Sequence, residues 1–354
     1  MSDLAIDLRH VEKTYGRKVR ALRGIEMRVH RGEVFGLLGP NGAGKSTLIK
    51  ILMTVIRASR CEGTVLGGNV GNKPTLARIG YLPEHHRFPP YLKGREVVDF
   101  YGAMAGVPRR QRRQRTGELL ELVGIGDWAG SKVGGYSKGM RQRLGIAQAL
   151  VNDPELVLLD EPTDGVDPVG RRDIRDILAR LKDQGRTVFL NSHLLSELEM
   201  VCDRVAILVQ GLVRSQGTID ELTVDQRRYE IEIAGEPSHA AAAFDAALPP
   251  EQRPKGSSAE GRVLHLAGAD SAAIQPVIDA LRARGETIRS IRPYRPSLED
   301  LFMQAVTDET TGETLRPGAA GGSRGKIASV PTAAPPTAPS TVPGPVTKAD
   351  GSRP

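Results

Sequence analysis

The pattern of apolar and polar positions divides the chain into three regions. In residues 3–223, short apolar runs such as Val34–Leu38 and Leu156–Leu159 alternate with helix-like stretches and Gly-rich turns. Uninterrupted apolar runs of this length are typical of strands buried on both faces, and their alternation with helices predicts a mostly parallel α/β sheet. Residues 93–150 are mainly helix-like, which predicts a helical lobe inserted into this region. Its three predicted helices are Val97–Ala105, Arg110–Val123 and Lys138–Leu150.

The pattern changes after residue 223. Residues 226–306 contain three short stretches of alternating apolar and polar positions, which are typical of strands with one wet face. We therefore expect a small α+β domain, with strands at Tyr229–Ile233, Arg262–Leu266 and Thr287–Ile291 and helices at Ala240–Ala247 and Ala272–Arg284. Residues 310–354 are rich in Pro, Ala, Gly, Ser and Thr and contain no aromatic residue, so we expect a disordered tail.

Composition narrows the class of protein without deciding its function. The chain has 354 residues and 39% hydrophobic content, which is enough for a large core. Its two cysteines, Cys61 and Cys202, are far apart in sequence, which favours a reduced, cytoplasmic protein. The net charge of +7 includes the basic run Arg109–Arg115, which has no interleaved aromatic residues and is more typical of a solvated helix face than of a nucleic-acid site.

The sequence also gives no sign of a membrane span or a secretion signal. Met1–Asp7 lacks the basic and apolar parts of a signal peptide, and no stretch approaches the roughly 20 apolar residues that a membrane helix needs. We expect a chain that does not cross a membrane and that would serve one only through a partner.

A glycine-rich loop follows the first apolar run and matches the phosphate-binding pattern G-x-x-x-x-G-K-[ST]. The glycines allow main-chain N–H groups to approach phosphate oxygens, and the positive end of the following helix points at the same charge. Lys45 is expected to reach the terminal phosphates, and the Ser46 hydroxyl to ligate Mg²⁺. The loop consists of Gly39, Pro40, Asn41, Gly42, Ala43, Gly44, Lys45, Ser46 and Thr47.

Two adjacent acids end the second apolar run. Asp160 and Glu161 follow Leu156–Leu159 directly, and ligands of open α/β sheets gather at the carboxyl ends of the strands. Asp160 is predicted to hold Mg²⁺, and Glu161 to accept a proton from the water that attacks the γ-phosphate.

The segment Tyr136–Arg143, with sequence YSKGMRQR, resembles the L-S-G-G-Q signature of the ATP-binding cassette family. The resemblance covers residues 3–223 and implies a P-loop NTPase fold that binds and hydrolyses ATP. Ser137 and Gly139 are retained, and in the family these positions approach the γ-phosphate. Tyr136, Lys138 and Met140 replace the common Leu, Gly and Gln.

Other family landmarks follow in the expected order. Tyr15 resembles the aromatic residue that stacks on adenine, and His193 resembles the switch histidine that contacts the γ-phosphate. Asp164–Asp167 is similar to the loop that crosses the dimer interface. Glu84 stands where the family usually has Gln, a side chain that meets the metal and the attacking water. A carboxylate can still ligate Mg²⁺ there, although it adds negative charge near the γ-phosphate.

The resemblance implies that one chain is half of the active ATPase. It implies a dimer, of two identical chains or of paired cassettes, that encloses two ATP molecules and drives separate polytopic membrane subunits from the cytoplasmic face of the cell membrane. Pro296–Phe302 resembles the ending of exporter cassettes, or else forms a Ser-capped helix that packs into the small domain. The alternatives are a soluble cassette ATPase that acts on ribosomes or DNA, and a regulatory or immunity protein that binds ATP without transport. We expect no nucleic-acid partner, because the double cassettes and long insertions of the soluble relatives are missing. An incomplete catalytic set would favour the regulatory protein, but Lys45, Asp160, Glu161 and His193 are all present.

Overall fold

The central element of the fold is a six-stranded sheet. The computed structural model describes residues 3–16, 18–223, 228–247, 257–268, 271–307 and 315. The sheet has the order β10-β9-β3-β8-β7-β6, and its strands are parallel except for the edge strand β10. This confirms the predicted α/β class. The strands are β3 (Val34–Leu38), β6 (Ile79–Leu82), β7 (Leu156–Asp160), β8 (Thr187–Asn191), β9 (Arg204–Val209) and β10 (Leu212–Gly217).

A second sheet, which the sequence pattern does not predict, is built from the N-terminal strands. It is antiparallel with the order β2-β1-β4-β5. The long strands β1 and β2 alternate buried and more exposed residues over much of their length, so one face of this sheet packs on the core. Its strands are β1 (Leu4–Tyr15), β2 (Val19–His30), β4 (Arg60–Val65) and β5 (Gly68–Asn69).

The helices cover both faces of the central sheet. Three of them fall within residues 93–150, where the sequence predicts a helical lobe: α3 (Gly94–Met104), α4 (Arg109–Leu122) and α5 (Lys138–Ala149). None of the helices in the described ranges is long and apolar enough to span a bilayer. The others in the first 223 residues are α1 (Lys45–Leu52), α2 (Lys73–Leu76), α6 (Pro168–Asp183), α7 (Leu195–Val201) and α8 (Ile219–Thr223).

Successive residues of each central strand enter two different cores. Phe35 and Leu37 of β3 pack with α1 and the antiparallel sheet, whereas Val34 and Leu38 pack with the helices of the lobe and with α6 and α7. This follows from the strand period of two, because neighbouring side chains point to opposite faces. The central sheet is therefore the middle layer of three, and its apolar runs are buried on both faces as predicted.

A third sheet forms in the C-terminal region and has a core of its own. Its antiparallel order is β12-β13-β11-β14, and the helices α9 and α10 accompany it. The predicted domain boundary falls at residues 224–227, which lie outside the described residues, so the division stays a prediction. The elements are β11 (Arg228–Ile233), α9 (Pro237–Ala247), β12 (Ser258–Glu260), β13 (Val263–Ala267), α10 (Gln275–Ala283) and β14 (Ile288–Tyr294).

The last helix, α11 (Leu298–Val306), does not pack where the sequence interpretation placed it. Ser297 caps it as expected, because its Oγ accepts the main-chain N–H of Asp300 at 3.2 Å. Leu298 and Leu301, however, join the core that contains the lobe and α7, and not the core of the small domain. The alternative in which this Ser-capped helix packs into the small domain is therefore wrong, since α11 contacts α7, α8 and β9. An apolar stripe marks a buried face but does not identify the surface that it meets.

The predicted tail, residues 310–354, lies outside the described residues except for Leu315. The main-chain N–H of Leu315 donates to the carbonyl oxygen of Val306 at 2.7 Å, and its side chain packs against the same core as α11.

Candidate functional site

The predicted site residues gather at one edge of the central sheet. Strands β3, β6, β7 and β8 are parallel and neighbouring, so their carboxyl ends lie at the same edge. The phosphate loop follows β3, Glu84 follows β6, Asp160 ends β7, and His193 follows β8. This is the edge at which ligands bind in open α/β sheets.

The phosphate loop is held tightly against its surroundings. A side chain at Gly39 would place its Cβ 2.3 Å from the carbonyl oxygen of Leu208, so only glycine fits between this loop and β9. Gly44, which caps α1, has φ +112° and would place a Cβ 2.7 Å from the carbonyl oxygen of Ala21. Asn41 and Gly42 are exposed at the tip, Ala43 is buried, and Ser46 and Thr47 lie in the first turn of α1.

Lys45 is buried inside this loop. It is only 8% exposed, and its Nζ donates to the carbonyl oxygens of Gly39 at 2.6 Å and Pro40 at 3.4 Å. Burial lowers the pKa of Lys45, while the carboxylates of Glu161, Asp160 and Glu84 oppose that effect. All three acids are therefore close enough to act on the ammonium group.

Asp160 is positioned by a residue that sequence reasoning missed. It is 2% exposed, and Nδ2 of the equally buried Asn191 donates a hydrogen bond to its Oδ1. Burial raises the pKa of Asp160, the bond from Asn191 lowers it, and the nearby Glu84 raises it further. Asp160 and Asn191 are partners in the register of β7 and β8. No local pattern reveals this pairing, although Asn191 ends an apolar run in the same way as Asp160.

Glu161 and His193 form the centre of the site. His193 Nδ1 lies 2.7 Å from Glu161 Oε2, and the main-chain N–H of His193 donates to the same oxygen at 3.3 Å. Burial raises the pKa of Glu161, and His193 opposes this shift. Glu161 has φ +53°, a left-handed conformation that is uncommon for any residue except glycine and that clusters at functional sites.

The main chain of Glu161 is fixed from two sides. Its N–H donates to the carbonyl oxygen of Asn191 at 2.8 Å, and its carbonyl oxygen accepts a hydrogen bond from Gln142 Nε2 at 3.2 Å. Gln142 belongs to α5, so the strained residue is tied to the helix that carries the signature segment.

The signature segment begins α5 and packs on the predicted interface loop Asp164–Asp167. Ser137 caps α5, because its Oγ accepts the main-chain N–H of Met140 at 3.1 Å. Lys138 Nζ lies 3.0 Å from Asp164 Oδ2. Within the residues that the structure describes, no hydrogen bond or ion pair joins Ser137 or Lys138 to the phosphate loop of the same chain. The roles of Ser137 and Gly139 stay predictions.

Two further predicted residues lie at the margins of the site. Glu84 is exposed, and its loop is fastened to α5 by His86, whose ring nitrogens lie 3.3 Å from the carbonyl oxygens of Pro83 and Arg141. Tyr15 ends β1 and is 42% exposed, and Lys13 Nζ lies 5.0 Å from the centroid of its ring. Stacking of Tyr15 on adenine stays a prediction.

Comparison with known proteins identifies the family. The family model described as "ABC transporter" matches residues 22–164. An ABC transporter ATP-binding protein of Synechocystis sp. is 41% identical over 82% of this chain and 80% of the relative. The chain belongs to the ATP-binding cassette family of ABC transporter ATPases.

Other relatives and solved structures agree with this assignment. A daunorubicin resistance ATP-binding protein of Streptomyces coeruleorubidus is 35% identical over 87% of this chain and 98% of its own. A fluoroquinolones export ATP-binding protein of Mycobacterium tuberculosis is 35% identical, over 82% and 89% respectively. A solved ATP-binding subunit of an ABC transporter is 27% identical with a TM-score of 0.56, over 62% of this chain and 91% of that one.

A dimeric cassette bound to ADP and Pi in a post-hydrolysis state is also similar to this chain. It has 26% identity and a TM-score of 0.54, over 60% of this chain and 98% of that one. The family assignment makes the chain an ATP-binding subunit of an ABC transporter and an ATPase. Subunits of this family dimerise and work with membrane subunits.

Proposed function

We propose that this ATPase drives export of a small organic molecule through separate membrane subunits, by closing as a dimer around two ATP molecules. The observation that carries the proposal is the arrangement of four groups at one sheet edge: Lys45, Asp160, Glu161 and His193. Glu161 lies within hydrogen-bond distance of His193, and its pKa is raised by burial, as suits a group that takes a proton.

In the proposed reaction, the phosphate loop and Lys45 hold the terminal phosphates of ATP. Glu161 accepts a proton from water as the water oxygen bonds to the γ-phosphorus, and the bond from that phosphorus to the bridging oxygen of ADP breaks. His193 keeps the Glu161 carboxylate oriented and contacts the γ-phosphate. The proton remains on Glu161 until it passes to solvent.

The residues present fit a magnesium ion. Asp160 offers a buried carboxylate oriented by Asn191, and Ser46 offers a hydroxyl at the start of α1. These oxygen donors, together with Glu84, suit Mg²⁺, which is commonly held by one or two carboxylates plus substrate phosphates. When bound, the ion would neutralise phosphate charge.

The proposed dimer brings the signature segment of one chain to the ATP of the other. Ser137 and Gly139 would then contact the γ-phosphate bound by the partner's loop, and ATP would join the two copies. The similarity to a dimeric cassette and the exposed position of Ser137 support this arrangement. A two-fold assembly of identical chains presents the same patch twice, so both ATP sites would be equivalent.

The proposal of export rests on the relatives that are named for drug resistance and fluoroquinolone export. We place the chain on the cytoplasmic face of the cell membrane, held there by polytopic membrane subunits. Exposed apolar side chains support a protein partner for the lobe: Phe100, Met104 and Trp128 belong to it, and Tyr91 immediately precedes it. We propose no nucleic-acid partner.

The test uses the variant Glu161→Gln, which keeps the shape of the site but cannot take the proton. We expect it to bind ATP, to lose nearly all hydrolysis, and to persist as a dimer in ATP. The tagged variant is then incubated with ATP and gently extracted from membranes. A polytopic membrane protein should co-purify with it in near-equal amount. Glu118→Gln, which changes an exposed carboxyl of α4, is the matched control and should hydrolyse ATP normally.

Two outcomes would contradict the proposal. Undiminished hydrolysis by Glu161→Gln would remove Glu161 from its role. Recovery from the soluble fraction with ribosomes or nucleic acid, and without a membrane protein, would favour the soluble ATPase instead. Once the membrane partner is known, cells that express both subunits should retain less of the exported compound, with an anthracycline and a fluoroquinolone as first probes.

A further inference from the structure

A lysine occupies an electrostatically unfavourable position in the signature segment. Lys138 is the first residue of α5 and lies between Ser137 and Gly139. The N-terminus of a helix carries partial positive charge, so a cation there is disfavoured unless an anion compensates it. The resemblance to the family gives glycine as the common residue at this position, so the lysine is a feature of this chain.

Within the chain, the ammonium group is compensated by the predicted interface loop. Lys138 Nζ lies 3.0 Å from Asp164 Oδ2, and this contact lowers the pKa of Asp164. Gly165 leaves room for the ammonium, because a Cβ at that position would lie 1.9 Å from Nζ. The two motifs at the start of α5 and in the loop are thus joined by one ion pair.

This ion pair is easily broken. The side chains of Lys138 and Asp164 are 52% and 57% exposed, and ion pairs as exposed as this contribute little to stability because water screens them. Lysine also has a long, flexible stem with a compact charge at its end. A multiply charged phosphate brought close to Lys138 would therefore compete well with a single carboxylate.

The nucleotide site has an excess of negative charge. Asp160, Glu161 and Glu84 all act on the ammonium group of Lys45. The lysines that act on Asp160 are Lys45 and, more weakly, Lys50. ATP would add several negative charges to this cluster. Glu84 adds one charge that the Gln usual in the family does not carry.

We propose that Lys138 leaves Asp164 when two copies close and contacts the γ-phosphate of the ATP bound on the partner subunit. The lysine then supplies in trans a positive charge that offsets the charge of Glu84. This inference rests on the proposed dimer, because Lys138 reaches a second nucleotide only if the signature segments face the partner's loops. The intrachain pair with Asp164 holds the lysine until ATP is present.

The experiment measures ATP-dependent dimerisation in the Glu161→Gln background by sedimentation velocity. Lys138→Met should weaken the ATP-bound dimer about tenfold, the effect of losing one charge-assisted contact. It should leave the affinity of the monomer for a fluorescent ATP analogue unchanged, because the phosphate loop is intact. Lys138→Arg should stay close to the parent, and Lys132→Met, which changes another exposed lysine of the lobe, is the matched control.

A double-mutant cycle separates this role from a general effect on the interface. Glu84→Gln should make Lys138→Met less harmful, because the charge that the lysine offsets is then smaller. Asp164→Asn should strengthen the dimer of the chain that keeps Lys138. The same substitution should have a smaller effect when it is combined with Lys138→Met. The dimer of Lys138→Met should also depend less on salt than the parent dimer.

Four results would overturn the inference. Two of them concern Lys138→Met, which could dimerise as tightly as the parent or could bind ATP more weakly already as a monomer. Lys138→Arg could be as weak as Lys138→Met, which would mean that the positive charge is not what matters. A parent that binds ATP but stays monomeric would overturn the proposed dimer and this inference with it, whereas tight dimers of both proteins would overturn the inference alone.

Discussion

Replacing Leu298 by Ala should destabilise the nucleotide-binding core, although the residue follows the C-terminal sheet in sequence. Leu298 is 0% exposed and belongs to the core that contains α7 and β9. Truncating a fully buried Leu to Ala costs about 2–5 kcal/mol, because transfer energy is lost and a cavity is left. For a unit of this size each kcal/mol shifts the melting temperature by roughly 2–4 °C, so we expect a decrease of roughly 4–20 °C.

The position of the destabilised elements shows which core α11 stabilises. Hydrogen exchange followed by mass spectrometry should show faster exchange in α7 and β9 of Leu298→Ala, the elements that α11 contacts. Met303→Ala lies in the same helix, but its side chain is 50% exposed, so it should shift the melting temperature little. Faster exchange confined to β11 and β13, with α7 unchanged, would show that α11 stabilises the small sheet instead and would refute the packing described above.

Three further predictions concern the site and its surroundings. Gly39→Ala should lower stability by about 1–3 kcal/mol and abolish ATP binding, because its Cβ would lie 2.3 Å from a carbonyl oxygen of β9; a normal nucleotide titration would contradict this. Asn191→Ala should raise the Mg²⁺ concentration for half-maximal hydrolysis about tenfold or more, because Asp160 loses its orienting hydrogen bond; an unchanged Mg²⁺ titration would exclude that role. Hydrogen bonds from Arg78 lower the pKa of Glu155 to about 2. The stabilisation of the folded state by this ionised pair is therefore present above about pH 4.5 and is lost as the pH falls towards 2. Because this pair is partly exposed, Glu155→Gln should lower the free energy of unfolding in urea by less than about 1 kcal/mol at pH 7. The difference in unfolding free energy between the variant and the parent should shrink below pH 4.5.

The sequence predicted the parts of the fold that depend on local pattern. The runs at Val34 and Leu156 became buried parallel strands, and the helices of the lobe begin and end within a few residues of their predicted bounds. Periodicity and turn residues report which face of an element is buried, and these elements are long or strongly apolar. The phosphate loop was predicted for the same reason, since its pattern is contiguous.

The features that escaped prediction depend on contacts between distant segments. The antiparallel pairing of β1 with β2 and β4 could not be read from strand periodicity, which does not identify the neighbour. The docking of α11 on α7 is of the same kind. So is the hydrogen bond from Asn191 to Asp160, which exists because β7 and β8 are adjacent and in register.

The two adjacent acids of the site can have different roles because the strand ends between them. Successive residues of a strand point to opposite faces, so regular continuation of β7 would separate the carboxyl groups of Asp160 and Glu161. The left-handed conformation at Glu161 breaks that alternation and turns its carboxylate towards His193. Asn191 holds Asp160, and two residues later His193 holds Glu161. One short segment at the end of β8 therefore orients both acids, and a displacement of this segment would disturb both together.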